Sequence, residues 1–259
     1  MYKKILFFLA IILMLVSIPE KTKAEQNVKI PVLLYHHIVP DDYIEIYQDN
    51  AFVIKESMFD RQIKYLYDNG YYTITTQQLY DYLANKKSLP PKSIMITFDD
   101  GYLSNYLFAY KILKNYNFVA TIFIITSEIN TNQQLFDANL INHMSWDQIK
   151  IMQDMFEFAS HTNSLHYTID NHSALCVLPN NLIDNDIKTS LDKVTNKIAF
   201  AYPYGEFNDS VIKTLKNNGI KLGFTTEAGY VTSNTNPFKI NRFTIYQNFS
   251  INDFIDIVE

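Results

Sequence analysis

Two adjacent carboxylates, Asp99 and Asp100, directly follow an apolar run and precede Gly101. Two imidazoles five residues apart, His161 and His166, follow a second apolar run, and the pair His36-His37 follows a third. On an ideal strand Asp99 and Asp100 would point to opposite faces. They reach one site only if the strand ends there, and Gly101 permits that turn. On a helix His161 and His166 would diverge by about 140°, so a shared ligand role needs a loop, which Thr162-Asn163-Ser164 supplies. Taken singly, Asp-Asp-Gly is usually a solvated turn, and a histidine pair is usually an ordinary surface feature. Brought to one face, two imidazoles and one carboxylate make a three-ligand site for a divalent metal, with positions left open for water and substrate. Such a metal lowers the pKa of bound water and polarises a carbonyl oxygen. Hydrolysis then needs a base and an acid. The free member of the aspartate pair can be the base, and His36 can be the acid. The backbone N–H of Tyr204, in Tyr202-Pro203-Tyr204-Gly205, is a candidate oxyanion donor.

Positioning these groups requires that several strands end at one face. Pro31 to Tyr35, Tyr72 to Ile74, Ser93 to Phe98, Val119 to Ile125, Phe156 to Ser160, Lys197 to Tyr202 and Lys221 to Thr225 read as short apolar strands. Helical patterns alternate with them. Met58 to Asn69 carries Phe59, Ile63, Leu66 and Tyr67 at helical spacing, with Gly70 as its stop. Thr75/Thr76 cap a helix through Leu83, and another runs from about Ser104 to Asn115. Ser145-Trp146-Asp147-Gln148 is a capping-box pattern, and Asp209 caps a helix ending at Asn218-Gly219. Segment 167–190 shows no clear period and reads as an irregular excursion. Strand–helix alternation means a parallel sheet, closed or open, whose sites lie at the carboxyl ends of its strands. His36, Asp99-Asp100, His161 and Tyr204 all follow such ends.

Thr97-Phe98-Asp99-Asp100-Gly101, His161-Thr162-x-x-x-His166 and Ala201-Tyr202-Pro203-Tyr204-Gly205 resemble the first three motifs of the polysaccharide deacetylases, the NodB-homology or carbohydrate esterase family 4 group. The resemblance covers roughly residues 30–250. It implies an α/β fold, a deformed (β/α) barrel of about seven parallel strands, and metal-dependent removal of N-acetyl groups from amino-sugar polymers. Carried over by position, it implies Asp99 as base, Asp100, His161 and His166 as metal ligands, and Tyr204 as oxyanion donor, with Tyr202 and Pro203 as substrate-binding residues beside it. Zinc suits these ligands, and cobalt, nickel or iron fit them too. The family's usual histidine pair is spaced by four, and its acid histidine lies late in the chain; here no histidine follows His172. The spacing of five and Leu34-Tyr35-His36-His37 at the first strand are instead similar to the permuted subgroup that deacetylates poly-N-acetylglucosamine, which implies His36, after the tyrosine, as the acid. The arginine often seen in the third motif is replaced near Ala201, and Arg242 is the candidate substitute, by pairing with Asp99. The family's Asp-Trp motif is not identifiable.

The remaining residues bound the reading. The 259 residues are 47% hydrophobic and 19% charged, ordinary globular composition with length for a sizeable core. A single cysteine, Cys176, excludes an intrachain disulfide and a cysteine-based zinc site, and it reads as a small buried residue. Met1-Tyr2-Lys3-Lys4, the apolar run Ile5 to Ile18 and a cut after Ala24 have the layout of a secretory signal. Residues 1–24 are therefore expected to be the signal and 25–259 the catalytic domain, secreted or held at the cell surface or wall; an uncleaved anchor is the alternative. Without that segment the chain carries 18 basic and 26 acidic residues, a surface that repels nucleic acid and anionic lipid. An N-acetylglucosamine-containing polysaccharide is the expected partner, exopolysaccharide favoured over peptidoglycan. Trp146 reads as a core residue rather than a sugar platform. Tyr35, Tyr102 and Tyr202 are as readily core as stacking residues, and His143 and His172 read as surface. A glycoside hydrolase would survive chelation, an Fe(II) oxygenase would need oxygen and a cosubstrate, and a binding module with a relic site would release no acetate. No Gly-x-Ser-x-Gly supports a serine hydrolase.

Overall fold

Short apolar runs with little polar alternation fit strands covered on both faces, and these runs build the sheet. In the computed structural model, which describes residues 28–84 and 86–259, Val32–Tyr35 (β1) and Ser93–Phe98 (β3) are buried throughout. The expected signal segment, residues 1–24, lies outside the described residues. The other strands of this sheet are Tyr72–Thr73 (β2), Ala120–Ile124 (β4), Phe156–Ser160 (β5), Ala199–Ala201 (β6), Leu222–Phe224 (β7) and Phe243–Thr244 (β8). Seven of them form one curled path in the order β7-β6-β5-β4-β3-β1-β8, with β2 joined to β3. Every pairing along it is parallel. This is the deformed barrel of about seven parallel strands that the motifs implied.

The curl brings its two edges towards each other, and one irregular segment runs between them. Ile240 bonds to β7 through its N–H to the Gly223 carbonyl (2.8 Å) and its carbonyl to the Thr225 N–H (2.9 Å). Three residues later Phe243 and Thr244 pair with Leu33 and Leu34 of β1. Arg242 sits between these two anchor points.

Helices cover the outer face. In Glu56–Asp68 (α1), Phe59, Ile63 and Leu66 are buried as their spacing predicts, while Tyr67 points outward and meets Tyr116 at 5.2 Å. Thr75 and Ser145 close the capping boxes of Thr76–Leu83 (α2) and Trp146–Met152 (α4). Between them, the helix expected from Ser104 opens as a π-turn over Asn105–Ala109 before Tyr110–Asn115 (α3). Asp209–Asn217 (α6) is capped by Asn208, whose side chain accepts the Val211 N–H, and not by Asp209, which is its first helical residue. Ile251–Val258 (α7) ends the chain.

The expectation for 167–190 is corrected. It holds a small hairpin, Thr168–Ile169 with His172–Ser173, and then Asn180–Leu191 (α5). Ile183, Ile187 and Leu191 keep the helical period, but Asp186 and Ser190 are buried on the same face. Two inward polar residues break the apolar stripe that a sequence pattern relies on.

Candidate active site

Strand β3 ends at Phe98. Asp99 still donates its N–H to the Tyr35 carbonyl (3.0 Å), but Asp100 adopts φ +71° and Gly101 φ +85°. The left-handed region reverses the strand's alternation, so both carboxylates reach one cleft. Gly101 is required twice over, because a Cβ there would sit 2.9 Å from Ile124 Cγ2.

His161 follows β5. Its Nδ1 lies 2.8 Å from the Ala201 carbonyl. A carbonyl only accepts, so Nδ1 carries the proton and Nε2 presents its lone pair, the arrangement of a metal-ligating histidine. Burial pushes its pKa down to about 4 against the pull of the Asp99 carboxylate, which keeps the ring in the neutral, ligating form.

The loop to His166 turns at Thr162, with φ +78°, and is held from α5. The Asp186 carboxylate accepts the N–H groups of Asn163 and Ser164, each at 2.8 Å, and the Ser164 hydroxyl at 3.0 Å. The segment that looks least regular in the sequence thus shapes the histidine loop.

His161 Nε2 and His166 Nε2 stand 3.5 and 3.4 Å from Asp100 Oδ1, and the three donor atoms lie within 4.8 Å of one another. That carboxylate oxygen is buried without a hydrogen-bond partner. A tetrahedral ion with ligands at about 2.1 Å sets them about 3.4 Å apart. Spacing, donor chemistry and the orphaned oxygen together fit a divalent cation held by Asp100, His161 and His166.

Asp99 lies beside this triad, its Oδ2 3.9 Å from His161 Nε2. Arg242 grips it with two bonds of 2.7 Å, Nη1 donating to Oδ1 and Nη2 to Oδ2. The guanidinium is itself fully buried, bonded through Nε to the Thr225 carbonyl (2.7 Å) and stacked 5.6 Å from the Phe123 ring. Burial raises the Asp99 pKa, but the guanidinium and the neighbouring imidazoles outweigh it and hold the carboxyl at about 2. The pairing expected from the sequence is present, delivered by the segment that spans the barrel's edges.

His36 lines the same cleft, half-buried, with its ring 5.0 Å from Phe52 and its Nδ1 buried without a partner. His37 is fastened at Nδ1 to Ser104 Oγ (2.6 Å), and burial together with His143 lowers its pKa to about 4. Tyr204 takes φ +60° within the turn Pro203–Gly205. Its ring is half-exposed and lies 4.8 Å from His166, and its hydroxyl donates to the His166 carbonyl (3.2 Å). Gly205, at φ +73°, has no room for a Cβ against Thr226.

Tyr202 and Pro203 do not meet the expectation of substrate contact. Tyr202 is fully buried, donates its hydroxyl to the Phe238 carbonyl (3.0 Å), and occupies the space a side chain at Gly223 would need. Pro203 is buried at the start of the turn, so both shape the Tyr204 backbone from behind. Tyr35 is likewise buried, with its hydroxyl on Gln62, whereas Tyr102 lines the cleft. His143 is half-buried against the Tyr102 ring (5.2 Å) rather than free on the surface. His172 is exposed and paired with Glu206 at 2.8 Å. Trp146 packs on the core, and Cys176 is half-buried.

The cleft holds about 410 Å³. Phe52 and Tyr246 border it, unforeseen from the sequence because neither stands near a motif. Asp186 was equally unforeseen; its signal was an acid three residues after Ile183 and four before Ser190 on the buried side of a helix.

Comparison with known proteins agrees with this geometry. The polysaccharide deacetylase family model matches residues 86–223, more than half of the chain. The poly-beta-1,6-N-acetyl-D-glucosamine N-deacetylase of Staphylococcus aureus is 30% identical over 243 residues, covering 88% of this chain and 82% of that protein. The Streptococcus pyogenes deacetylase PplD, solved in complex with acetate, superposes with a TM-score of 0.77 at 29% identity, covering 90% of this chain and 99% of that one. IcaB from Ammonifex degensii gives a TM-score of 0.73 at 26% identity over 90% and 97% of the two chains. With curl, clustered ligands and paired aspartate all in place, this chain belongs to the polysaccharide deacetylase family.

Proposed function

We propose that this protein removes acetyl groups from the amino sugars of poly-N-acetylglucosamine outside the cell. The observation that carries the reading is the orphaned Asp100 Oδ1 among two imidazole nitrogens, with an arginine-held carboxylate beside it. A divalent cation held by Asp100, His161 and His166, zinc before cobalt, nickel or iron, would lower the pKa of bound water and polarise the acetamide carbonyl. Asp99, kept ionised by Arg242, accepts the water proton as the oxygen bonds to the carbonyl carbon. The Tyr204 N–H donates to the developing oxyanion. His36 gives its proton to the nitrogen as the C–N bond breaks, which releases acetic acid and a neutral amine; the acid's proton then passes to the amine, and the proton on Asp99 returns to His36. The likeness to the staphylococcal relative supports the polymer, and the signal-like residues 1–24 support export.

The test is acetate release from β-1,6-linked N-acetylglucosamine oligomers and from peptidoglycan, with metal added or chelated. Release from the oligomers that stops on chelation is expected. Asp99→Asn should lower turnover by about 10²–10⁴-fold with the metal still bound, whereas His166→Ala should lose the metal as well. Metal-independent release, or full activity of Asp99→Asn, would sink the mechanism. Preference for peptidoglycan would move the substrate, and no release from either would favour a relic binding site.

A further inference from the structure

Two aromatic rings in the cleft have no part in that chemistry. Phe52 and Tyr246 are 43% and 37% exposed, their centroids are 5.8 Å apart, and both border the cleft beside His36. Isolated exposed aromatics elsewhere, such as Tyr167, need no explanation. This pair differs because it is held in place. Gln247 donates its N–H to the Ala51 carbonyl (2.8 Å), and its side-chain amide donates to the Tyr47 and Asn50 carbonyls (3.2 and 3.5 Å). The Phe52 N–H in turn donates to Asn50 Oδ1 (3.1 Å), and Phe249 braces Tyr246 edge-on at 5.4 Å. One glutamine therefore ties the turn before Phe52 to the segment carrying Tyr246 and sets both rings before anything binds.

Their occupant follows from the geometry of the reaction. An acetamide at the triad must place its departing nitrogen at His36, and the His36 ring lies 5.0 Å from Phe52. A sugar chain that leaves that nitrogen on the His36 side would cross Phe52 and Tyr246. A β-linked pyranose with equatorial substituents presents its axial C–H groups as an apolar face, which suits an aromatic surface, and keeps its hydroxyls at the ring edge. Asn50 and Thr226 also border the cleft and offer polar groups to it.

We infer that Phe52 and Tyr246 form a stacking platform for the pyranose linked to the reacting amino sugar, and so make the enzyme select polymer over isolated sugar. The inference rests on the proposed deacetylation of a sugar polymer and adds the residues that read the neighbouring unit.

The experiment compares Phe52→Ala, Tyr246→Ala and Phe52→Trp with wild type on di- to pentasaccharides of β-1,6-linked N-acetylglucosamine and on 4-nitrophenyl acetate, which carries no sugar. Each alanine variant should raise KM for the longer oligomers about 3- to 10-fold, with a smaller effect on kcat. The oligomers should lose more in kcat/KM than the aryl acetate, and Phe52→Trp should recover most of the loss. Equal losses on both substrates would mean general damage to the site, and a loss carried by kcat on the oligomers with KM unchanged would mean damage to His36; either outcome would overturn the inference. Binding of the pentasaccharide to Asp99→Asn, with and without Phe52→Ala, gives a reading independent of turnover. Wild type that cleaves the aryl acetate but not the oligomers refutes the deacetylation reading, whereas equal affinity of the two Asp99→Asn proteins, or no binding by either, refutes the platform.

Discussion

Removing the guanidinium from Asp99 is the most exacting perturbation of this site. Asp99 is 2% exposed and Arg242 is fully buried, so nothing but Arg242 and the nearby imidazoles offsets the desolvation of that carboxylate. Lowering the carboxyl from its ordinary 3.8 to about 2 corresponds to about 2–3 kcal/mol of stabilisation of the ionised form. In Arg242→Met burial acts with little opposition and moves the pKa above 3.8 instead. That range is therefore a floor, and the variant should lose about 3–5 kcal/mol of stability at pH 7, the usual cost of leaving one member of a buried pair uncompensated.

The sign with pH separates this from simple packing loss. In wild type the folded pKa is depressed, so the pair's contribution is complete above about pH 4 and fades as pH falls towards 2. In the variant the folded pKa is raised, so stability is lost as pH climbs through and above 4. Urea unfolding of both proteins between pH 4 and 8 should show a gap that widens with pH. The acid limb of activity, measured at saturating metal, should move upward by the same cause. Arg242→Lys keeps the charge but not the paired geometry, and should fall between the two. A constant gap across that range with an unmoved acid limb would refute the idea that Arg242 keeps the base ionised.

Two further substitutions examine the supports around the ligands. Asp186→Ala removes three hydrogen bonds that shape the loop between His161 and His166, although Asp186 ligates nothing. It should weaken metal affinity about 10- to 100-fold, read by competition with a chromophoric chelator; undiminished affinity would show that the loop holds its shape without α5. His36→Phe should lower kcat on N-acetylated oligomers by about 10²–10⁴-fold and spare 4-nitrophenyl acetate far more, because a phenolate leaves without a proton. Equal losses on both substrates would remove His36 from the role of acid.

The strands that carry the site were legible because each is a short, largely apolar run, Glu157 being the one charged interruption, and the chemistry follows directly where each run stops. Asp100, His161 and His166 could be grouped on that basis, and the turn required at Gly101 is present at φ +85°. Two kinds of feature were not legible. Asp186 and Ser190 lie inward on a helix whose apolar stripe they interrupt, so the local pattern reads as loop while tertiary hydrogen bonds to Asn163, Ser164 and Ser160 stabilise the helix. Tyr202 reads as a site residue because its neighbours are, yet its ring turns to the core, where Gly223 leaves space for it. Adjacency in sequence does not say which face a side chain takes after a strand end.

The strand ends themselves explain how a sheet becomes a site. Asp100, Thr162 and Tyr204 all have positive φ, at +71°, +78° and +60°, and none is glycine. A non-glycine residue in that region costs of order 1 kcal/mol or more, and a threonine is among the least suited to it because of its branched Cβ. Glycine would relieve the backbone at each position, but only a side chain serves the site at two of them. Asp100 must supply its carboxylate, and Tyr204 braces His166 by ring contact and by its hydroxyl. Thr162 is held by its neighbours: its N–H donates to Ser160 Oγ (3.1 Å) and its carbonyl accepts the Thr126 N–H (3.1 Å). Three strands are thus bent out of their pleat at one level, each fixed by bonds to the next strand or helix. Asp100 and the two imidazoles converge where these turns meet at the barrel mouth, beside Asp99, which Arg242 holds from the segment that joins the sheet's edges.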